Sequence, residues 1–332
     1  MQACAYAHIS SKIYSGATNF TITKSTPSQT FLEDLSPHLN ADIRNYLWNP
    51  DFIRFLSEKA KFVKAKRLLD VGCGLGHWTR VLTSFMPDGS DIVGLDVEEN
   101  FVIEARRTTD QYYNKKKKVH FDLGDSYEMP YPSNHFDVVT CHHLLCMVSS
   151  PQRVLAEMYR VLKPGGYIII AEPNKSVALL ASNTAFDSLS ANERLDLVKL
   201  YLTSSMSKNK LGKGNDDIGQ RVGELLKEMG LAITGVYNSD REFYLLPPYV
   251  SREQKALVEF VKLLAKAGSL FCVSPEKLRE YYKAQDPDEA EFERLTQMSS
   301  RFSTTVLYQL EHGKFAGSIG GSTVVTIAKK LS

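Results

Sequence analysis

LLDVGCGLGHWT, Leu68 to Thr79, is the stretch on which the fold turns. An apolar run ends at Asp70 and Val71 and gives way to Gly72, Gly74 and Gly76, after which His77 and Trp78 open a helix-compatible sequence. Glycine reaches positive φ without a Cβ penalty, so a strand that enters a glycine turn and leaves as a helix can lay its backbone against a ligand. Outward from this turn the same rhythm repeats. DIVGLDV reads as a second buried strand and NFVIEARRTTDQYY as a helix. KVHFDLGD and FDVVTCHHLL read as third and fourth strands, PQRVLAEMYRVLK as a helix opened by proline, and GGYIIIAEP as a fifth strand. Short β-rich runs separated by such helices require right-handed crossovers and a mainly parallel sheet covered on both faces. The spacing predicts a doubly wound α/β domain.

In an open parallel sheet the ligand lies outside the carboxyl ends of the strands, where this glycine turn falls. A G-x-G-x-G pattern by itself also suits a plain tight turn. Asp96 adds to it by ending the second strand, where a carboxylate can accept both hydroxyls of a ribose. Asp125 and Ser126 follow the third strand, where an adenine edge would lie. Together these point to an adenosine-containing cofactor, either NAD or S-adenosylmethionine. A dinucleotide fold uses G-x-G-x-x-G, which would put His77 at the third glycine position, and Asp70 suits an ammonium better than a pyrophosphate. The charges favour S-adenosylmethionine. An NAD-dependent oxidoreductase and a non-catalytic adenosyl-cofactor binding module remain the alternatives.

From Arg67 to Pro173 the chain resembles the class I S-adenosylmethionine-dependent methyltransferases, through LLDVGCGLG, VGLDV, LGDSYEMPYP, FDVVTCHHLL and LAEMYRVLKPGGYIIIAEP in that order. The resemblance implies a Rossmann-like seven-stranded sheet whose last strand, STVVTIAKK, runs antiparallel. It implies that Gly72, Gly74 and Gly76 line the cofactor, Asp96 holds its ribose, Asp125 and Ser126 flank adenine, and His142 lies near its methionine. Asp70, Cys73 and Val97 join the same cofactor-binding set. The layout of EPN, helical insert, GKGNDDIG, helix, strand and second helical insert resembles a bacterial subgroup in which the two inserts form a lid. It implies no particular acceptor.

Residues 1 to about 39 are Ser- and Thr-rich and read as an arm; residues 41–62 read as an amphipathic helix or a broken pair interrupted near Pro50. The division expected is an N-terminal arm and helical segment, 1–62, and a methyltransferase domain, 63–332, with helical insertions at about 175–217 and 248–312. Over the 332 residues Lys plus Arg number 40 against 38 Asp plus Glu, a balance that calls for no polyanionic partner, and 43% hydrophobic content is ordinary for a globular core. The Lys115–Lys118 run closes a helix, where cations favour the dipole. The five cysteines lack CxxC pairs, so no metal site is expected and they read as reduced thiols. No apolar leader or membrane span stands out, and a cytoplasmic protein is expected.

Methyl transfer is an in-line displacement that mainly needs nucleophile, methyl and sulfur held collinear away from water, so little acid–base machinery is compulsory. CHHLL stands where amine-modifying relatives of the family carry an Asn/Asp-Pro-Pro-aromatic turn. That departure favours a small organic acceptor, methylated at O, N or C, over nucleic acid or protein amides. No catalytic residue is fixed by the sequence. His142 and His143, neighbours at a strand end, would point to opposite sides, one able to deprotonate a hydroxyl, the other contacting cofactor or packing. Glu172 and Asn174, just past the fifth strand, face the pocket mouth or cap the insert. Tyr46 and Trp48 either fold over the cofactor or belong to the core. GKGNDDIG is either a flexible connection or a hinge with Asp216 or Asp217 touching substrate. The oligomeric state is left open.

Overall fold

The computed structural model describes residues 42–110, 116–268, 275–284 and 288–332. The arm at 1–39 and Lys115 lie outside them. The parallel run of strands is β1 (Arg67–Val71), β2 (Asp91–Asp96), β3 (Lys118–Leu123), β4 (Phe136–His142), β5 (Leu162–Asn174) and β6 (Ala232–Asn238). A two-residue pair, β7 (Tyr244–Leu245) and β8 (Gly317–Ser318), precedes β9 (Ser322–Lys329). The sheet order is β3-β2-β1-β4-β5-β9-β6, with β9 antiparallel to both neighbours. The chain therefore has the doubly wound α/β fold with a reversed strand near one edge.

The helices are α1 (Pro50–Lys59), α2 (His77–Thr83), α3 (Glu99–Asp110), α4 (Pro151–Val161), α5 (Thr184–Asp187), α6 (Ala191–Lys210), α7 (Val222–Glu228), α8 (Arg252–Lys266), α9 (Pro275–Lys283) and α10 (Glu289–Glu311). Their starts are written locally. Asn49 accepts the Asp51 N–H ahead of Pro50, Ser190 and Glu193 form a capping box on α6, and Asp288 accepts the Ala290 and Glu291 N–H groups on α10. Pro50 begins a helix rather than kinking one, which is why 42–62 is broken into a 3₁₀ turn at Asp42–Tyr46 and α1.

Leu68, Leu69 and Val71 of β1, Ile92 and Leu95 of β2 and Ile168 to Ile170 of β5 are all fully buried. Covering both faces of the sheet leaves these strands without a polar side, and each such side chain contributes about 1.5–3 kcal/mol relative to exposure. One face carries α4 and α7 against Leu69, Val139 and Ile170. The other shares a continuous core with Leu47 and Trp48, with Ala185 and Phe186 of the first insertion, and with Leu257, Val261, Phe302 and Val306 of the second. Within that layer α6 packs on α9 and α10, so the two insertions meet although β6 separates them in sequence.

Candidate functional site

The glycine turn, Asp70, Asp96 and the segment after β4 meet at the carboxyl edge of the central strands. Gly72, Gly74 and Gly76 have φ of +67°, +53° and +75°. The N–H groups of Gly72 and Cys73 donate to the Leu95 carbonyl at 2.7 and 3.0 Å, which pins the turn to the end of β2. A Cβ on Gly74 would meet nothing within 4 Å, so the turn presents bare backbone to open space there. The Gly74 N–H donates to Asp96 Oδ2 at 2.7 Å and the Glu98 N–H to Asp96 Oδ1 at 3.0 Å. Burial raises the Asp96 carboxyl against these bonds.

Asp70 is fully buried. Its Oδ2 accepts the Thr79 hydroxyl at 2.5 Å, while Oδ1 has no hydrogen-bond donor among the described residues. Burial pushes this carboxyl up to about 7, with the Thr79 bond opposing and the Asp96 charge assisting. Cys73 turns its thiol inward against Val102, Ala105 and Phe121, and burial raises it far above the usual thiol range. Val97 is 46% exposed at the exit of β2. The Gly124 N–H donates to the Asp96 carbonyl at 2.9 Å, bringing the exposed Asp125 and half-buried Ser126 beside the same edge. Asp125 Oδ1 is occupied by the Tyr127 N–H at 2.8 Å.

The two histidines do not diverge. His143 leaves β4 with φ of +56°, which breaks strand alternation and stacks its ring on His142, with centroids 4.1 Å apart. Trp48 lies 4.8 Å from Trp78 and 5.5 Å from His142, so the segment before α1 closes over the end of β4. Trp48 is core, and Tyr46 is half-buried against the same cluster. Burial and then Arg44 push the His142 imidazole down to about 3; burial, His142, Lys175 and Arg44 hold His143 well below its usual range. His143 Nε2 lies 3.2 Å from Thr323 Oγ1.

Glu172 and Asn174 lie inside β5 rather than past it. Glu172 Oε1 accepts the N–H groups of Leu144 and Leu145 at 2.8 and 2.7 Å, and Oε2 that of Cys146 at 3.1 Å. It caps the turn after β4, not the helical insert, and burial pushes it up to about 7 against these bonds. Asn174 is buried at the strand's end with Oδ1 unbonded among the described residues.

GKGNDDIG is a packed loop rather than a slack connection. Gly214 packs on the carbonyl of Cys146 and Gly219 on those of Glu172 and Pro173. Asp217 accepts the Ser176 N–H and hydroxyl at 2.8 and 2.7 Å. Asp216 is buried between Lys175 and Lys208, each with Nζ 2.7 Å from its Oδ1. Local pattern did not mark Arg44 or Lys175, whose partners His77 and Asp216 are distant in sequence, nor Thr79 and Lys208, whose partners Asp70 and Asp216 lie across a turn. Among the described residues no cluster of three or more His, Cys, Asp or Glu could hold a metal, and no helix is long and apolar enough to cross a membrane.

Residues 69–170 match the family model described as a methyltransferase domain. An uncharacterized methyltransferase of Schizosaccharomyces pombe is 36% identical over 117 residues, 34% of this chain and 42% of that protein. The demethylmenaquinone methyltransferase of Oceanobacillus iheyensis is 33% identical over 133 residues, 40% of this chain and 53% of that protein. The chain thus spans about half the length of the curated relatives it matches. A Bacillus halodurans crystal structure (BH2331) superposes with a TM-score of 0.50 at 17% identity, covering 85% of this chain and 100% of that one, and shares the fold. Residues 69–170 thus match a methyltransferase domain, set in a doubly wound sheet with its reversed strand.

Proposed function

We propose that the chain transfers the methyl group of S-adenosylmethionine to a small organic acceptor at an oxygen, nitrogen or carbon atom. The observation that carries this is the pairing of an open glycine cradle at Gly74 with two buried carboxylates, Asp70 and Asp96, at one strand edge. The residues fit the cofactor: Asp70 Oδ1 is a buried acceptor suited to an ammonium, and each Asp96 oxygen keeps a lone pair for a ribose hydroxyl. Val97, Asp125 and Ser126 border the adenine side, and Cys73 supports the cradle from behind. When bound, S-adenosylmethionine supplies an electrophilic methyl group.

His142 is not assigned the role of general base. With its imidazole held at about 3 it stays neutral at physiological pH, and a base so weak takes up a proton poorly. Its ring, packed with Trp48, Trp78 and His143, instead excludes water from the end of β4.

Calorimetric titration with S-adenosylmethionine, S-adenosylhomocysteine and NAD tests the cofactor. Binding of the first two at micromolar affinity, about −8 kcal/mol, with none of NAD, is expected; NAD binding alone would reassign the site to redox chemistry. Turnover over an acceptor panel then separates an enzyme from a binding module. Asp70 gives this binding a proton signature. A carboxyl at about 7 that meets an ammonium falls in pKa, so the complex holds fewer protons than the free protein and affinity rises with pH up to and through about 7. Heats compared across buffers at pH 7 should show release of about half a proton, abolished in Asp70→Asn. Equal release by that variant removes Asp70 from the ammonium site.

A further inference from the structure

Three successive backbone N–H groups converge on one buried carboxylate where the chain leaves β4. Leu144 and Leu145 donate to Glu172 Oε1 and Cys146 to Oε2, and Glu172, Leu145 and Cys146 are all fully buried. Successive N–H groups aimed one way form a nest for an anion, and each is costly to leave unpaired in a core. Glu172 therefore fixes where the middle of this turn lies relative to β5. The consequence reaches the glycine turn through Leu144. A Cβ on Gly72 would lie 2.7 Å from Leu144 Cδ1 and 3.1 Å from Cδ2 and Cγ, so the half-buried Leu144 side chain fills the space that a side chain at this position would take. On its other side Gly72 is held by its N–H, which donates to the Leu95 carbonyl at 2.7 Å. A glycine at φ of +67° has wide conformational freedom, and these two contacts narrow it.

We propose that Glu172 is a positioning residue for the methionine half of the cofactor: by fixing the N–H groups of Leu144, Leu145 and Cys146 it seats the Leu144 side chain on Gly72 and so preorganises the start of the glycine turn beside Asp70. In this role it touches neither cofactor nor acceptor. A turn already held in its binding conformation has less freedom to lose when the ligand arrives. The inference rests on the methyl-transfer reading, in which Asp70, two residues ahead of Gly72, receives the ammonium group. It also assigns the effect to one end of the cofactor, because the adenosine side is tied to Asp96 by the Glu98 and Gly124 N–H groups, which take no part in the turn after β4. Two of the three N–H groups meet the same oxygen of Glu172, so an amide oxygen in its place keeps them. The role is one of geometry more than of charge.

The test is calorimetric titration of the full chain with S-adenosylhomocysteine and with 5′-methylthioadenosine, which keeps the adenosine and lacks the amino-acid end. Glu172→Leu, which releases all three N–H groups, should weaken S-adenosylhomocysteine about tenfold and leave 5′-methylthioadenosine within about twofold of the native protein. Glu172→Gln, whose amide oxygen can take the Leu144 and Leu145 N–H groups, should bring S-adenosylhomocysteine back to within about threefold. A general loosening of the fold would weaken both ligands together. That outcome, or an unchanged S-adenosylhomocysteine affinity in Glu172→Leu, overturns the proposal and leaves Glu172 a cap on the turn. If Glu172→Leu does not fold, Leu144→Ala decides: it keeps the backbone bonds to Glu172, removes the side chain over Gly72, and should show the same selective loss, whose absence overturns the proposal. Native protein that binds neither ligand would sink the methyl-transfer reading and this inference with it; native binding with no selective loss in the variants would remove the role of Glu172 and leave that reading standing.

Discussion

Gly214→Val is expected to cost about 4 kcal/mol or more of folding stability, measured by urea denaturation with the folded baseline monitored by circular dichroism. A Cβ at this position would lie 2.1 Å from the Cys146 carbonyl oxygen, 2.9 Å from its carbon and 3.2 Å from Met147 Cα. These are backbone atoms, so no rotamer change relieves the overlap. The residue also has φ of +109°, a region that side chains with a Cβ rarely adopt. Relief requires the loop to lift, and lifting it draws Asp216 away from Lys208, whose ammonium donates to the same carbonyl. The turn that Glu172 holds from its other side would then lose one of its two supports. Loss of less than about 1 kcal/mol would mean that the loop is not packed on the turn as described. Gly212, with φ of +65° and nothing within 4 Å of a Cβ, is the control, because Gly212→Ala meets only the backbone penalty of about 1 kcal/mol.

The same loop shows where reading the sequence reached its limit. Glycine, asparagine and aspartate in GKGNDDIG have the composition of a slack linker, yet two of its glycines are required by close approach to carbonyls 68 and 47 positions upstream, those of Cys146 and Glu172. Composition records a residue's local freedom, not what it touches. The parallel strands were legible for the opposite reason. Burial on both faces imposes an apolar run on each strand itself, so Leu68–Val71 and Ile168–Ile170 announce themselves without reference to a partner. Asp70, Asp96 and the three glycines were legible as a set because one crossover fixes their spacing. His143 was misjudged because alternation holds only while the chain stays extended, and its left-handed φ turns its ring onto His142. Glu172 sits within a strand that runs on to Asn174, and its three N–H partners come from a turn 26 to 28 residues earlier. Lys175, Lys208 and Asp216 meet only in three dimensions, and no period of sequence encodes an ion cluster.

Asp96→Ala should weaken S-adenosylhomocysteine about a hundredfold, close to 2.7 kcal/mol, the loss of two charge-assisted hydrogen bonds from a ribose. The carboxylate has room for both duties: Oδ2 takes the Gly74 N–H and Oδ1 the Glu98 N–H, and a carboxylate offers about four acceptor sites in all. Because the variant also releases the Gly74 N–H, a fall in affinity alone could reflect a slackened glycine turn. A cycle with S-(2′-deoxyadenosyl)homocysteine separates the two causes. Against the native protein the missing hydroxyl should cost about tenfold; against Asp96→Ala, which has no carboxylate to receive it, the cost should shrink to about twofold. An undiminished penalty in the variant would show that the ribose is held elsewhere and that Asp96 serves only to tie the glycine turn to β2. In that case the chemistry of the edge would rest on Asp70, and its proton signature would have to survive the Asp96 substitution.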